Sequence, residues 1–158
     1  MVTETNRERD TQSCILYILK HVSGGRKKIM KLMFLLDYYD IDNNKLTLNK
    51  AIGNKFIVYY YGVFSKEVMD DILKLIRNGK VVESYYGKLE VNEPDKADIQ
   101  NRELKKKVDA IIEKFGKSSA NELETETLRM IKLTKQNKYA SFGIMIDAIL
   151  MNKWNRSN

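Results

Sequence analysis

The sequence predicts a mainly α-helical protein with a small antiparallel β-element, folded as a single domain over residues 1–158. The first observation is the stretch 29–38, which is apolar on nearly all sides, as in a helix buried on several faces. The second is the single proline in 158 residues, which fits a helix-rich chain. The third is a pair of short segments, 56–61 and 80–92, whose residue types predict a strand and a hairpin. We therefore expect one compact helical domain built around the helix at 29–38.

The first helix is predicted at about 10–22, where apolar residues recur at helical spacing. Residues 1–9 are polar and charged, and we expect them to be flexible. Gly24 and Gly25 should end this helix, since glycine adopts the left-handed cap conformation without steric cost. The central apolar helix follows at about 27–39.

The middle of the chain carries the predicted strand. After a turn at 42–45, the segment 46–54 is ambiguous, and its pattern fits an extended piece followed by a short helix at about 49–53. The segment 56–61 is rich in tyrosine and β-branched residues, so it predicts a short strand.

The remaining helices have recognisable N-terminal signals. Ser65 is a suitable N-cap for a helix to about 77, with Glu67 in the first turn, where the helix dipole favours a negative charge. Ser119 and Glu122 match the capping-box pattern. No internal repeat and no long linker interrupts the sequence, which supports a single domain. Three further helices complete the prediction, at about 101–115, 119–133 and 142–153.

Composition narrows the cellular context. The charged fraction of 31% and hydrophobic fraction of 43% are typical of a globular protein. No apolar run approaches the roughly 20 residues of a membrane span, so we expect no membrane association. The first ten residues carry charges of both signs, unlike a signal peptide. A single cysteine allows no internal disulfide, and we expect a cytoplasmic protein.

The sequence predicts no catalytic, metal or cofactor site. One cysteine and one histidine cannot supply a typical structural zinc site. Cys14 fits a buried small hydrophobe, and His21 fits a helix C-terminus, where a partly positive ring is favoured. A calcium loop beginning at Asp40 fails, because Lys45 and Ala51 occupy the positions that need glycine and glutamate. Phosphate-binding glycine loops and serine elbows are absent from the sequence, so we expect a protein that is not an enzyme.

Positive charge is the most general hint of a partner. The formal net charge is +7, from 28 basic and 21 acidic residues. Such a balance permits an acidic partner or a nucleic acid without requiring either, and a solvated lysine-rich surface is the alternative. The candidate contacts for nucleic acid or an acidic partner are Arg26, Lys27, Lys28, Arg129, Lys132 and Lys135.

The tyrosine-rich strand is the main candidate for protein binding. Strand alternation would send Tyr59 and Tyr61 to one face and Tyr60 to the other, so at least one face should show tyrosine to a partner. Tyrosine is enriched in interfaces because it buries a large area and keeps a polar tip. With Phe64, these residues form the predicted partner-binding site, the alternative being tyrosines half-packed against neighbouring helices.

The order of a helix and then a hairpin over 65–91 also fits a winged-helix DNA-binding regulator. In that architecture the helix at 65–77 would enter the major groove. The segment 65–91 holds five basic and five acidic residues, so it offers no net charge for phosphate contacts. DNA binding therefore remains the alternative function.

Three stretches of the sequence resemble motifs of the Panacea domain, the SocA-like antitoxin family. The stretch Lys31-Leu32-Met33-Phe34 with Asp37 is similar to the family's central-helix motif, K-L-x-[YF]. The stretch 61–65 resembles its Y-G-P-V-P/S turn, with Val63 in place of the proline. A third match, over 108–123, resembles the family's late helix, and the likeness spans roughly 15–133. The matched motif residues are Lys31, Leu32, Phe34, Asp37, Tyr61, Gly62 and Ser65.

The resemblance implies a function that the residues alone do not. Members of the family are non-enzymatic, and they neutralise toxins or, in one type, deliver the toxin to a protease. By this likeness the chain is expected to bind a cognate toxin as an antitoxin or proteolytic adaptor, without a cofactor.

Overall fold

The computed structural model describes residues 4–156, which fold into six α-helices and three small antiparallel sheets. The predicted class, mainly α with a small antiparallel β-element, is confirmed at this level. In chain order the elements are α1 Glu4–His21, β1 Gly24–Gly25, α2 Arg26–Tyr38, β2 Tyr39–Asp40, β3 Lys45–Leu46, β4 Ile57–Tyr59, β5 Gly62–Phe64, α3 Lys66–Arg77, β6 Val81–Glu83, β7 Lys88–Val91, α4 Arg102–Phe115, α5 Ala120–Met130 and α6 Ile146–Arg156. Two short 3₁₀ turns lie at Pro94–Lys96 and Lys138–Ser141.

Helix α2 is buried along most of its length. All residues from 28 to 38 are buried, and the helix contacts α1, α3, α4, α5 and β5. Its sequence explains this, because apolar residues occupy nearly every side of the helix. Lys31 and Asp37 are two of its buried polar residues, and both contact the chain between residues 52 and 63.

Helix α1 begins at Glu4, so the prediction of a flexible segment over 1–9 is wrong for residues 4–9. The buried side chain of Arg7 explains the early start. Its guanidinium donates to Asn54 Oδ1 at 2.7 Å and to Asp71 Oδ2 at 3.1 Å, and its Nε lies 3.2 Å from a carboxylate oxygen of Glu67. Residues 1–3, which belong to the same prediction, lie outside the described residues.

The two glycines after α1 are extended, and the predicted left-handed cap is wrong. Gly25 has φ −104° and ψ −167°, and β1 pairs with β7 in a sheet of order β1-β7-β6. A Cβ on Gly25 would lie 2.7 Å from the carbonyl oxygen of Gly87, so the close approach of the hairpin requires glycine there. The hairpin predicted over 80–92 is confirmed as β6 and β7.

The predicted strand over 56–61 is instead a hairpin. The chain reverses at Tyr60 and Tyr61, so that Tyr59 pairs with Gly62 in the β4–β5 ladder. Gly62 has φ +92°, a conformation that glycine adopts freely after a tight turn and that other residues rarely adopt. The predicted alternation of tyrosines across one strand is therefore wrong.

The other edge of β4 binds a distant part of the chain. The amide of Gly143 donates to the carbonyl of Val58 at 2.8 Å. The amide of Val58 donates in turn to the carbonyl of Ile144 at 3.1 Å. Ile146 N–H donates to Phe56 at 3.0 Å. Because 143–146 is occupied in this pairing, the helix predicted over 142–153 begins only at Ile146.

The loop before β4 contains no helix at 49–53, which settles the ambiguous segment. The carboxylate of Asp37 accepts hydrogen bonds from the backbone N–H groups of Ile52 at 2.6 Å, and of Gly53 and Asn54 at 3.0 Å. Burial raises the pKa of Asp37, while these three donors and Lys50 act in the opposite direction. A buried carboxylate thus holds the loop in an irregular shape.

The local helix signals are confirmed. Ser65 caps α3, since its hydroxyl accepts from the N–H of Val68, and Ser119 with Glu122 forms a capping box at α5. Helix α5 ends at Met130, short of the predicted 133, and Lys132 just beyond it has φ +60°. Across residues 4–156, no helix has the length and apolar character needed to cross a membrane.

Candidate partner-binding surface

Six aromatic side chains form an exposed group at the tip of the β4–β5 hairpin and the nearby 3₁₀ turn. Four are tyrosines with relative exposures of 41% for Tyr59, 57% for Tyr60, 68% for Tyr61 and 61% for Tyr139. The other two, Phe64 and Phe142, are half-buried. We call these six residues the aromatic surface.

Ring contacts make most of the aromatic surface continuous. The ring centre of Tyr59 lies 4.7 Å from that of Tyr60 and 5.5 Å from that of Phe64. Phe142 joins the two halves, since its ring lies 5.0 Å from both Tyr60 and Tyr139. These separations fall in the range where aromatic rings attract each other. The rings therefore form one platform.

The structure brings together all four residues predicted from the sequence as the partner-binding site, and it adds two. Tyr139 and Phe142 were missed because they reach the hairpin only through the pairing of 143–146 with β4. Two aromatic residues three positions apart, in a segment otherwise rich in lysine, were the available signal. That signal does not say which strand such a segment would join.

A buried group of charges lies beneath the aromatic surface. The carboxylate of Glu124 on α5 binds the ammonium of Lys27 at 2.6 Å and that of Lys138 at 3.0 Å. Lys31, buried on α2, donates to the carbonyl oxygen of Val63 in β5 at 2.9 Å. We call Lys27, Lys31, Glu124 and Lys138 the lysine–glutamate cluster.

The lysine–glutamate cluster touches the aromatic surface at two points. The ammonium of Lys27 lies 5.3 Å from the ring centre of Tyr61, and that of Lys138 lies 5.6 Å from the ring centre of Tyr139. Both distances suit a cation–π interaction. One carboxylate, Glu124, therefore anchors the lysines that lie against both ends of the aromatic surface.

The cluster contains strongly perturbed groups. Burial lowers the pKa of Lys31 to about 7; the charge of Glu124 raises it, whereas Lys27 and Lys138 lower it further. Burial alone would raise the pKa of Glu124, but its hydrogen bonds from Lys27 and Lys138 hold it below the usual range. Glu124 is therefore the charged centre of the cluster.

Most of the motif residues that resemble the Panacea domain hold the hairpin in place. Lys31 binds β5, Asp37 binds the preceding loop and Ser65 caps the following helix. A Cβ on Gly62 would lie 3.2 Å from Cγ of Glu124, so the hairpin packs closely on α5 there. Leu32 and Phe34 are buried in the core, and Tyr61 is exposed.

The six predicted cationic contacts are mostly engaged within the molecule. Nε and Nη2 of Arg26 each donate to the carboxylate of Glu83 at 2.7 Å, and buried Lys28 donates to the carbonyl of Gly116 at 2.7 Å. Lys27 belongs to the lysine–glutamate cluster, and Arg129 pairs with Glu126. Lys132 is exposed and Lys135 is half-buried.

An open cleft of about 1100 Å³ lies between β2–β3 and the C-terminal ends of α4 and α5. Its walls carry Lys114 and Arg129. Both lie near the C-terminus of a helix, where a cation offsets the partial negative charge of the last carbonyls. This role explains the positions of these two cations without a ligand.

Neither Cys14 nor His21 belongs to a group of possible metal ligands within the described residues. Within 4–156, no three residues among His, Cys, Asp and Glu are placed to hold a metal ion. Cys14 is fully buried, and burial raises the pKa of its thiol. His21, the last residue of α1, is exposed with its ring 4.8 Å from that of Tyr17.

Comparison with models of protein families, with curated proteins and with solved structures gives no match for this chain.

Proposed function

We propose that this chain is a non-enzymatic protein-binding module of the cytoplasm that neutralises a toxin, as an antitoxin or proteolytic adaptor. The single observation that carries the proposal is the aromatic surface, in which five rings contact one another and the adjacent Tyr61 is exposed. The Panacea-like motifs support the choice of a toxin as the partner.

Physical chemistry favours a protein partner for such a surface. Clustered exposed aromatic rings are unusual on a monomer and are typical of interaction sites. Tyrosine rings contribute strongly to interface energy, because each buries a large area at a low cost in side-chain entropy. The surface is also preformed, since Lys31 binds β5, Asp37 holds the preceding loop and Gly62 packs against Glu124. A preformed surface loses less entropy on binding.

The test is co-expression with the product of the adjacent gene, with growth and co-purification as readouts. We expect the wild-type chain to relieve toxicity and to form a stable complex. Tyr60→Ser should weaken the complex about tenfold or more, as expected for an interface hot spot. Tyr85→Ser is the matched control, because Tyr85 is 97% exposed but lies on the β6–β7 hairpin. A harmless neighbour without a complex, or equal loss in both variants, would refute the proposal.

A winged-helix DNA-binding regulator remains the second prediction. Helix α3 is followed by the β6–β7 hairpin, and the tip of that hairpin exposes Tyr85 and Tyr86 almost fully. The exposed residues of α3 include Asp70 as well as Lys66 and Arg77, a mixture that suits a phosphate backbone poorly. The salt dependence of DNA binding separates this function from protein binding.

A further inference from the structure

We propose that the partner of the aromatic surface places an aspartate or glutamate carboxylate on Lys27, beside an apolar side chain that packs on Tyr60 and Tyr61. The inference rests on the proposed function, since it specifies the chemistry of the partner at the same surface. Its occupant is a protein segment in which an acidic residue neighbours an apolar or aromatic one.

The first argument is the charge imbalance beneath the surface. The lysine–glutamate cluster holds three ammonium groups and one carboxylate. Glu124 already binds two of these lysines, and Lys31 is bound to a neutral carbonyl. Even with Lys31 neutral, two positive charges face one negative charge. Buried positive charge of this kind favours a partner that brings a carboxylate.

The second argument is the position of Lys27. Its side chain is 27% exposed, whereas those of Lys138 and Glu124 are 6% and 4% exposed. Within residues 4–156 its ammonium donates to Glu124 Oε1 at 2.6 Å and to Asn121 Oδ1 at 2.8 Å. An ammonium has three donors, so one remains for an incoming acceptor. Lys27 is thus the member of the cluster that a partner can reach.

The third argument is the neighbourhood of that donor. The ammonium of Lys27 lies over the exposed ring of Tyr61, so a carboxylate bound there would stand at the edge of the aromatic surface. Nucleic acid is disfavoured at this position, because a protein binds a phosphate backbone through several accessible cations. Here Lys27 is the one member of the cluster that a partner can reach. A carboxylate beside an apolar side chain meets both features at once.

The experiment is selection from a phage-displayed random peptide library on the immobilised full chain. We expect wild-type protein to enrich peptides with Asp or Glu next to an apolar or aromatic residue. Lys27→Gln keeps hydrogen-bond donors but removes the charge, and it should keep the apolar preference while losing the acidic one. Lys27→Arg should keep both preferences. Lys106→Gln, at an exposed lysine on α4, is the control and should behave as wild type.

A double-mutant cycle then measures the pair directly. We expect Lys27→Gln to weaken an enriched peptide about tenfold, and replacement of the peptide's acid by its amide to have the same effect. The two changes together should reduce the peptide's affinity no more than either change alone. Additive losses would overturn the inference, as would displacement of the peptide by a short oligonucleotide.

Failure of the inference and failure of the proposed function look different. Suppose that peptide selection depends on Tyr60, but that the peptides selected on wild type and on Lys27→Gln are equally rich in Asp and Glu. Then only the inference fails. If no peptide family is selected, or if Tyr60→Ser leaves selection unchanged, the aromatic surface itself is not a binding site and both fail. Thermal unfolding of each variant confirms that the fold is retained.

Discussion

Lys31 is a buried ammonium whose charge state should govern the stability of the protein near neutral pH. Burial lowers its pKa to about 7, far below that of a lysine in an unfolded chain. Between pH 7 and the unfolded value, the unfolded chain binds one proton more than the folded one. The contribution of Lys31 to stability therefore rises with pH in that window, and below pH 7 its full penalty remains.

We accordingly predict that Lys31→Met benefits the stability of the fold most, relative to wild type, at low pH. The free energy of unfolding of the variant minus that of wild type should stay constant below pH 7. Above pH 7 this difference should fall by up to about 1.4 kcal/mol per pH unit, because wild type gains stability. Urea unfolding at a series of pH values measures this. As the control, Lys106→Met should give a difference that does not change with pH.

Gly62 is a residue whose backbone favours glycine and whose surroundings leave little space for a Cβ. Its φ of +92° strains any other residue, and a Cβ would lie 3.2 Å from Glu124 Cγ and 3.5 Å from Leu128 Cγ. We expect Gly62→Ala to destabilise the protein by about 1–3 kcal/mol through strain, with an added steric cost. Gly79→Ala is the control, since Gly79 has φ +76° but a Cβ added there would meet no heavy atom within 4 Å. Equal destabilisation of the two variants in urea would contradict the steric argument.

At the scale of elements, the loop and hairpin between α2 and α3 depend on α2 for their shape. Asp37 supplies the acceptor for three consecutive backbone N–H groups. We predict that Asp37→Asn costs about 2 kcal/mol or more, because a neutral amide oxygen replaces a charged acceptor for buried donors. Hydrogen exchange should show lost protection at Ile52, Gly53 and Asn54. Unchanged protection at these three amides would mean that the loop is held by other contacts.

Sequence reasoning succeeded for elements whose signals are local. The cap at Ser65, the capping box at Ser119 and the β6–β7 hairpin each depend on residues only a few positions apart. It failed where distant contacts decide, as in the pairing of 143–146 with β4 and the early start of α1, which Arg7 explains. The reversal at Tyr60 and Tyr61 had a local signal in Gly62, but the run of tyrosines favoured a continuous strand.

The candidate site was half predictable for the same reason. The tyrosines at 59–61 stand together in the sequence, so their exposure could be proposed from residue type. The lysine–glutamate cluster could not, because Lys31 and Glu124 lie on different helices and no sequence pattern pairs them. Basic residues expected at the surface turned out to be buried or paired, as for Lys28 and Arg26.

At the scale of the whole molecule, the formal net charge is +7, yet the six predicted cationic contacts offer few unengaged side chains to nucleic acid. Four of the six predicted cationic contacts bind groups of the chain itself. We therefore expect weak non-specific DNA binding, with a slope of log K against log salt of about −2 or shallower. A fluorescence anisotropy titration measures this slope. A value near −5 or steeper would shift the functional assignment to DNA binding.

The hairpin that carries the aromatic surface is packed against the molecule on one side and exposed on the other. Lys31 binds its backbone, Asp37 holds the preceding loop and Gly62 packs on α5, whereas the rings of Tyr59, Tyr60 and Tyr61 are exposed at its tip. Substitutions at the rings therefore leave the supporting contacts intact. If the proposed function is correct, such a division would let the recognised partner change during evolution at little risk to folding, by substitutions at the hairpin tip alone.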